Sequence, residues 1–163
     1  MPLSRQIAGL AVALAVTTIA AAVGGLASVD APAFYAQLDR PAWAPPAWLF
    51  GPAWGVLYTL MAVAAWLLWR AVGWQRARGA LAVYLAQLLA NALWSWLFFA
   101  WRQGAGAFAG AVVLWLLVAA TVFAFRRVHR PAGLLLWPYL AWVSYATALT
   151  WSVWQRNPGL LGQ

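Results

Sequence analysis

The chain has almost none of the side chains that usually carry chemistry. Its 163 residues include no Cys, no Lys and no Glu, and the only other titratable groups besides Arg and Tyr are Asp30, Asp39 and His129. The lack of Cys excludes disulfides and thiolate metal sites. The scarcity of acids, bases and nucleophiles disfavours ordinary hydrolytic or metal catalysis. What the chain does have is fourteen Trp residues, which favour the binding of flat, apolar molecules.

Charge is also scarce, and the apolar runs between the charged clusters are long. Charged residues make up 7% and hydrophobic residues 66% of the chain, whereas soluble domains have roughly 25% charged residues. We therefore predict a single-domain, all-α integral membrane protein. A membrane-spanning helix needs about 20 residues. Five segments meet this length and predict a five-helix bundle, approximately Ile7–Ala27, Ala47–Trp69, Gly79–Trp101, Gly106–Phe125 and Gly133–Trp154. The first is longer than the apolar core of a signal peptide, so we expect it to be retained.

The distribution of basic residues predicts an orientation. With five spans, seven of the ten Arg fall on the side of the N-terminus, namely Arg5, Arg70, Arg76, Arg78, Arg126, Arg127 and Arg130. The other three, Arg40, Arg102 and Arg156, fall on the opposite side. The positive-inside rule then predicts a cytoplasmic N-terminus and an external first loop. The net charge of +8 indicates topology and contact with anionic headgroups, and no nucleic-acid partner is expected.

One connection, residues 28–46, is much longer than the others. Such a loop within a compact domain is usually either functional or disordered. Phe34, Tyr35 and Leu38 follow Pro32 at helical spacing, which predicts a short amphipathic helix. Two interpretations remain open: the aromatic residues anchor the loop at headgroup depth, or the loop is a lid over a cavity.

Three helical faces combine aromatic, polar and small side chains at spacings of three, four or seven residues. They comprise Trp54, Tyr58 and Met61 in the second span, Asn91, Trp94 and Ser95 in the third, and Trp142, Ala146 and Leu149 in the fifth, with Tyr139 one turn earlier. An unpaired amide in mid-membrane costs a few kcal/mol, so Asn91 is expected to face a ligand or another helix. Trp142 with Ala146 beneath it predicts a wall for a planar ligand, or else ordinary core packing.

Two further features allow more than one interpretation. Small residues suited to close helix packing occur in the GxxxG of Gly106 and Gly110, and in the first span at Gly9, Ala13, Ala20, Gly24 and Gly25. They pack helices either within the chain or between chains. His129 lies among arginines in the sequence RRVHR, which favours an exposed surface group over a haem ligand.

Three ordered motifs resemble the TspO/MBR family, which comprises tryptophan-rich sensory proteins and mitochondrial translocator proteins (peripheral benzodiazepine receptors). The motifs are FYAQLDRPAWAPPAWLFGPAWGVLYTLM, AQLLANALWSWLFF and PYLAWVSYATALTWSVWQRN, between about Phe34 and Asn157. Some positions depart from the family pattern. Phe34 replaces the usual Trp and Arg40 the usual Lys. Thr150 and Trp151 replace an Asn and the Tyr of a sterol-associated motif, which weakens the expectation of cholesterol binding.

The resemblance implies a five-helix bundle, commonly a homodimer, with a cavity capped by the first loop. Family ligands include porphyrins, haem precursors, sterols and isoquinoline or benzodiazepine compounds. Carried over to this chain, the lid would contain Tyr35, Trp43, Pro45 and Pro46. The ligand would contact Trp54, Asn91, Ser95, Trp142, Ala146 and Leu149, and the helical faces add Tyr58 and Trp94 as candidates.

The leading hypothesis is a porphyrin-binding protein of the bacterial cytoplasmic membrane that acts as a sensor, carrier or scavenger of tetrapyrroles. A porphyrin such as protoporphyrin IX or haem would be its ligand, and no cofactor or metal site is expected. The partners would be membrane lipids and a second copy of the chain. Two alternatives stay open. One is light- and oxygen-dependent degradation of protoporphyrin IX with the participation of Trp54 and Trp142, an activity implied by the resemblance alone. The other is a ligand-free membrane scaffold.

Overall fold

The protein is helical throughout the part that the structure describes. A computed structural model describes residues 1–162 and contains no β-strand within them. The elements are α1 (Leu3–Ala27), α2 (Ala31–Gln37), a 3-10 turn (Ala47–Leu49), α3 (Phe50–Ser95) with a π-helical turn (Trp96–Ala100), α4 (Gly104–Val128), α5 (Arg130–Leu134), α6 (Trp137–Arg156) and α7 (Pro158–Leu161).

Four helical stretches are long and apolar enough to cross a membrane, namely Leu3–Ala27, Ala47–Ala100, Gly104–Val128 and Arg130–Arg156. The second has 54 residues, which at 1.5 Å per residue would be about 80 Å long if it were straight. Gly73 interrupts it with φ 72° and ψ 172°, a conformation that is accessible mainly to glycine. We call residues 50–72 the first arm of α3 and residues 74–95 the second arm.

The two arms of α3 pack against each other in antiparallel fashion. Tyr58 is hydrogen-bonded to Asn91, and Met61 to Gln87, so that residues advancing along the first arm meet residues receding along the second. The predicted spans 47–69 and 79–101 fall within this interrupted helix. The short connection that these spans leave over residues 70–78 is itself helical on both sides of Gly73, which alone reverses the chain.

The main core joins both arms of α3 to α4 and α6. Met61, Leu68, Val122, Leu136 and Tyr139 are at most 2% exposed. Because lipid is as apolar as these side chains, close van der Waals contact is the main stabilising interaction between such helices.

Small residues bring the helices together within the chain. A Cβ on Gly9 would lie 2.1 Å from the Trp69 ring, and one on Gly110 would lie 3.0 Å from Leu97. A Cβ on Gly106 would also approach Leu97, at 3.5 Å. Of the two interpretations of the GxxxG sequence, packing within the chain is therefore the one seen here.

A second core cluster lies beside the connection from α1 to α3 (residues 28–49). Phe34, Tyr35 and Leu38 are buried there against Phe98 and Leu149. Helix α2 begins at Ala31 with Pro32 in its first turn, where proline is well tolerated because its missing N–H has no helical partner. The short amphipathic helix predicted from these residues is confirmed.

Candidate functional site

A cavity of about 340 Å³ lies between the end of α1, the α1–α3 connection and both arms of α3. This volume lies near the lower end of the range of small-molecule pockets, which is about 300–1,000 Å³. The cavity is lined by Ala21, Gly24, Gly25, Ser28, Ala31, Pro32, Tyr35, Ala47, Phe50, Gly51, Trp54, Tyr58, Asn91, Trp94, Ser95 and Phe99. It is therefore a mainly apolar, aromatic site with few polar groups.

Six of the twelve candidate site residues line this cavity. They are Tyr35, Trp54, Tyr58, Asn91, Trp94 and Ser95. The other six do not line the cavity: Trp43, Pro45, Pro46, Trp142, Ala146 and Leu149. Residues from the predicted faces of the second and third spans thus line the same cavity, whereas those from the face on α6 do not.

Trp142 lies behind the cavity wall. Its ring meets the Trp54 ring edge to face, with 6.4 Å between centroids and 84° between planes, and it meets Phe50 at 6.0 Å. Ala146 is half-buried, and Leu149 is buried in the second core cluster. Trp54 and Trp142 thus contact each other and do not enclose a ligand site between them. The predicted wall for a planar ligand at Trp142 and Ala146 is therefore not part of this cavity.

Asn91 links the cavity to a buried network of hydrogen bonds. Its Oδ1 accepts from the Tyr58 hydroxyl over 2.8 Å, and its Nδ2 donates to the Tyr139 hydroxyl over 2.9 Å. Tyr139 in turn donates to Gln87 Oε1 over 2.8 Å. Asn91 is only 2% exposed, so of the two expected environments the structure shows contact with other helical segments. An amide has two donor hydrogens and two acceptor lone pairs, which leaves one of each for a ligand.

Trp94, which lines the cavity, carries an unsatisfied hydrogen-bond donor. Its ring stacks on Phe98 at 5.6 Å with 11° between planes. Its buried indole Nε1 has no hydrogen-bond partner within residues 1–162, and the same holds for Trp142 Nε1 and for Nδ1 of the half-buried His129. An unsatisfied buried donor costs about 1–3 kcal/mol. A ligand acceptor at Trp94 would remove that cost.

The α1–α3 connection is fixed over the site by hydrogen bonds to its own backbone and to α6. The Tyr35 hydroxyl donates to the Pro45 carbonyl over 2.8 Å, and the Tyr145 hydroxyl donates to the Trp43 carbonyl over 2.8 Å. Burial raises the pKa of Tyr35, while the neighbouring Arg40 acts in the opposite direction. Pro45 is buried, Pro46 is exposed and Trp43 is 49% exposed. Trp43, Pro45 and Pro46 therefore belong to the connection without lining the cavity.

Two guanidinium groups lie beside the connection. Arg40 is 4.6 Å from the centre of the Tyr35 ring, and Arg102 is 4.6 Å from that of Phe34. Arg102 has φ 52°, a left-handed conformation that is uncommon for residues other than glycine. The aromatic faces thus hold two positive charges at this end of the bundle.

Sequence reasoning missed Asn157, which attaches the connection to the end of α6. Asn157 Oδ1 accepts from the Asp39 backbone N–H over 2.8 Å, and its Nδ2 donates to the Asp39 carbonyl over 2.9 Å. Arg156 and the Asp39 carboxylate form an ion pair at 3.6 Å, with both side chains exposed. The only local signal was an Asn directly after an apolar helix, which usually indicates no more than a helix end.

The contribution of α1 to the cavity was also missed. Gly24 and Gly25 were recognised only as packing residues, yet both line the cavity together with Ala21 and Ser28. A Cβ on Gly24 would lie 3.2 Å from Ser95 Oγ. The small residues therefore let α1 approach the second arm of α3 and still leave open space.

Comparison with known proteins gives a consistent result. Residues 11–155 match the model of the TspO/MBR family. The chain is 37% identical to the tryptophan-rich protein TspO of Chlorobaculum tepidum over 161 residues, 96% of this chain and 100% of the relative. It is 42% identical to a tryptophan-rich sensory protein of Cereibacter sphaeroides over 124 residues, 76% and 77% of the two chains. It is 41% identical to the translocator protein of Ovis aries over 128 residues, 77% and 76% of the two chains.

Proposed function

Because the chain belongs to the TspO/MBR family, we propose that it binds tetrapyrroles such as protoporphyrin IX in the cavity beside Trp54 and Trp94. It would act in a bacterial cytoplasmic membrane as a sensor, carrier or scavenger. The names of its relatives, among them tryptophan-rich sensory protein and translocator protein, are in keeping with a sensory or transport role. The apolar helices of membrane length support a multi-pass location.

The observation that carries this proposal is the combination of flat aromatic walls with few, specific polar groups. Trp54, Trp94 and Phe99 offer ring surfaces to a planar ligand, and Asn91 and Trp94 Nε1 offer hydrogen bonds. Aromatic contacts of this kind contribute about 0.5–1.5 kcal/mol each beyond the area that they bury. Arg40 and Arg102 beside the connection supply positive charge for the propionates of a porphyrin, since guanidinium groups bind carboxylates in bidentate fashion.

The size of the cavity indicates that its cover moves when a whole macrocycle binds. At about 340 Å³, the space is close to the minimum for a small-molecule pocket. We propose that the α1–α3 connection is a lid, which opens by release of its contacts with Asn157 and Tyr145. The lid residues Tyr35, Trp43, Pro45 and Pro46 would then control exchange of the ligand.

The fold at Gly73 supports a five-span topology. The two antiparallel arms of α3 count as two crossings, and α1, α4 and α6 supply the other three. The seven-to-three distribution of Arg favours a cytoplasmic N-terminus and a lid on the outer side. The homodimer stays a prediction that only measurement of the oligomeric state in detergent or nanodiscs can test.

A titration in the dark tests the proposal. Protoporphyrin IX is added to detergent-purified protein while quenching of Trp fluorescence is followed. Saturable quenching at micromolar ligand or below supports a specific site. A linear response would mean that porphyrin only partitions into the micelle, and would favour the ligand-free scaffold.

The contact between Trp54 and Trp142 keeps photo-oxidation as a second candidate function. A porphyrin excited by light beside Trp54 can pass its energy to molecular oxygen, and the activated oxygen is the oxidant that would break the macrocycle's conjugation, with nearby indoles oxidised alongside it. This function predicts that light and oxygen bleach the Soret band faster with protein than without it, and that Trp54→Phe slows the bleaching. Trp74→Phe at the other end of the bundle is the control. Equal rates for free and bound porphyrin would contradict this function.

A further inference from the structure

A second, larger cavity of about 640 Å³ lies in a groove between the start of α1 and both arms of α3 near Gly73. It involves α1 residues 5–16, whereas the first cavity involves residues 21–25 of the same helix. The midpoints of these stretches are separated by about 20 Å at 1.5 Å per residue. The groove is therefore a separate site at the opposite end of the bundle.

The walls of the groove are almost entirely apolar. Val12, Trp74 and Leu85 line it and remain exposed, with Trp74 59% exposed. The Trp69 ring rests directly on Gly9, where a Cβ would lie 2.1 Å away. The Trp66 indole donates to the Gln6 carbonyl over 2.9 Å, which fixes the start of α1 to the first arm. The groove is thus a formed apolar channel on the outer surface of the bundle, where lipid chains lie.

Two arginines of the groove have no anionic partner among residues 1–162, the part of the chain that the structure describes. Arg5 and Arg78 line it and are exposed. The chain's only carboxylate side chains belong to Asp30 and Asp39. Asp30 follows the far end of α1, about 37 Å along the helix axis from Arg5, and Asp39 pairs with Arg156. Both acids therefore lie at the other end of the bundle, and the two guanidinium groups are open to an external anion.

We propose that this groove binds one anionic phospholipid, with its phosphate held by Arg5 and Arg78 and an acyl chain along Val12 and Leu85. Arginine matches phosphate through paired hydrogen bonds, and basic pockets between transmembrane helices are known to suit anionic headgroups. A zwitterionic lipid would bring its ammonium group toward the same two cations. A net negative headgroup avoids that repulsion, and the groove therefore selects lipids by charge.

Native mass spectrometry of the detergent-purified chain tests the proposal with phosphatidylglycerol and phosphatidylcholine of identical acyl chains. We expect one phosphatidylglycerol to be retained in preference to phosphatidylcholine. Removal of both arginines in Arg5→Gln/Arg78→Gln should reduce the preference about fivefold for each charge. The matched control Arg76→Gln/Arg127→Gln removes two exposed charges outside the groove and should keep it.

Ala82→Phe tests the apolar part of the site without a change of charge. Ala82 lines the groove and is exposed, so a larger side chain should fill the channel while the bundle still folds. Thermal unfolding in detergent checks the folding of every variant. Loss of lipid retention in Ala82→Phe supports the groove as the binding site. Equal retention of the two lipids by the wild-type protein, or an equal loss of preference in both double variants, would overturn the proposal.

Discussion

Asn157 binds both the N–H and the C=O of Asp39, at 2.8 and 2.9 Å, and so joins the end of α6 to the α1–α3 connection across 118 positions of sequence. Its Nδ2 also donates to the Val153 carbonyl, which fixes the amide orientation. A side chain that satisfies both polar groups of one peptide residue acts as a clamp on that segment. The same connection lines the cavity, so under the proposed function the clamp would control ligand exchange.

Removal of the clamp should speed the release of ligand. Asn157→Ala leaves the Asp39 peptide without its partners, a change worth about 1–3 kcal/mol. We expect a dissociation rate of bound porphyrin at least about fivefold higher, measured by stopped-flow exchange in the dark. Arg156→Gln is the control, because an exposed ion pair contributes only about 0–1 kcal/mol. Identical rates in both variants would exclude the clamp from gating.

The hydrogen bonds of Asn91 should affect both stability and binding. In Asn91→Leu, the hydroxyl of Tyr139 loses a donor and that of Tyr58 loses its acceptor, so we expect a loss of about 1–3 kcal/mol in stability together with weaker porphyrin binding. Thr17→Val breaks the bond between Thr17 and Tyr84, away from the cavity, and should lower stability with little effect on affinity. Thermal unfolding and dark titration measure the two effects. Unchanged affinity in Asn91→Leu would contradict the proposed contact.

The unsatisfied N–H of the Trp94 indole should affect ligand affinity more than stability. Trp94→Phe keeps an aromatic ring and removes the buried donor, so we expect unchanged or slightly higher stability without ligand and about fivefold weaker porphyrin binding. Trp142→Phe removes a similar unsatisfied donor behind the wall and should leave binding nearly unchanged. A larger loss of affinity in Trp142→Phe than in Trp94→Phe would show that the cavity extends past Trp54.

Gly73 should be required for the reversal within α3. Its φ of 72° and ψ of 172° are unfavourable for any residue with a Cβ, at a cost of about 1–3 kcal/mol, although no atom within 4 Å would obstruct the added carbon. Gly73→Ala should therefore lower the unfolding temperature. In contrast, Gly79→Ala lies within the second arm, also in open space, and should raise it slightly through helix propensity. The same direction of change in both variants would contradict the role of the Gly73 backbone.

Much of this architecture could be predicted from the sequence, because apolar length and side-chain spacing are local properties. The long apolar runs predicted the helices, and Phe34, Tyr35 and Leu38 after Pro32 predicted α2. The cost of burying a lone amide correctly placed Asn91 in the bundle interior. Each of these inferences depends on a single segment and the solvent around it.

The remaining features depend on how separate segments meet. Spacing showed that Trp142 and Ala146 share a helical face, but not that Trp54 and Phe50 lie against that indole. Residues 70–78 contain enough polar residues for a loop, yet one glycine makes the reversal. Asn157 and Asp39 are too far apart in sequence for any local pattern to connect them. The contribution of α1 to the cavity was missed for the same reason. Small residues in a sequence indicate close helix packing, but they do not show where a cavity remains between the packed helices.

The most direct test of tetrapyrrole binding in the first cavity is the porphyrin affinity, measured in the dark, of two neighbouring glycine variants. Gly51 lines the cavity, whereas Gly55, one turn later, does not, and neither has an atom within 4 Å of an added Cβ. We expect Gly51→Trp to fill the cavity and abolish saturable binding, while Gly55→Trp binds like the wild-type protein and both variants unfold at similar temperatures. Saturable binding of equal affinity in both variants would show that the tetrapyrrole does not occupy this cavity.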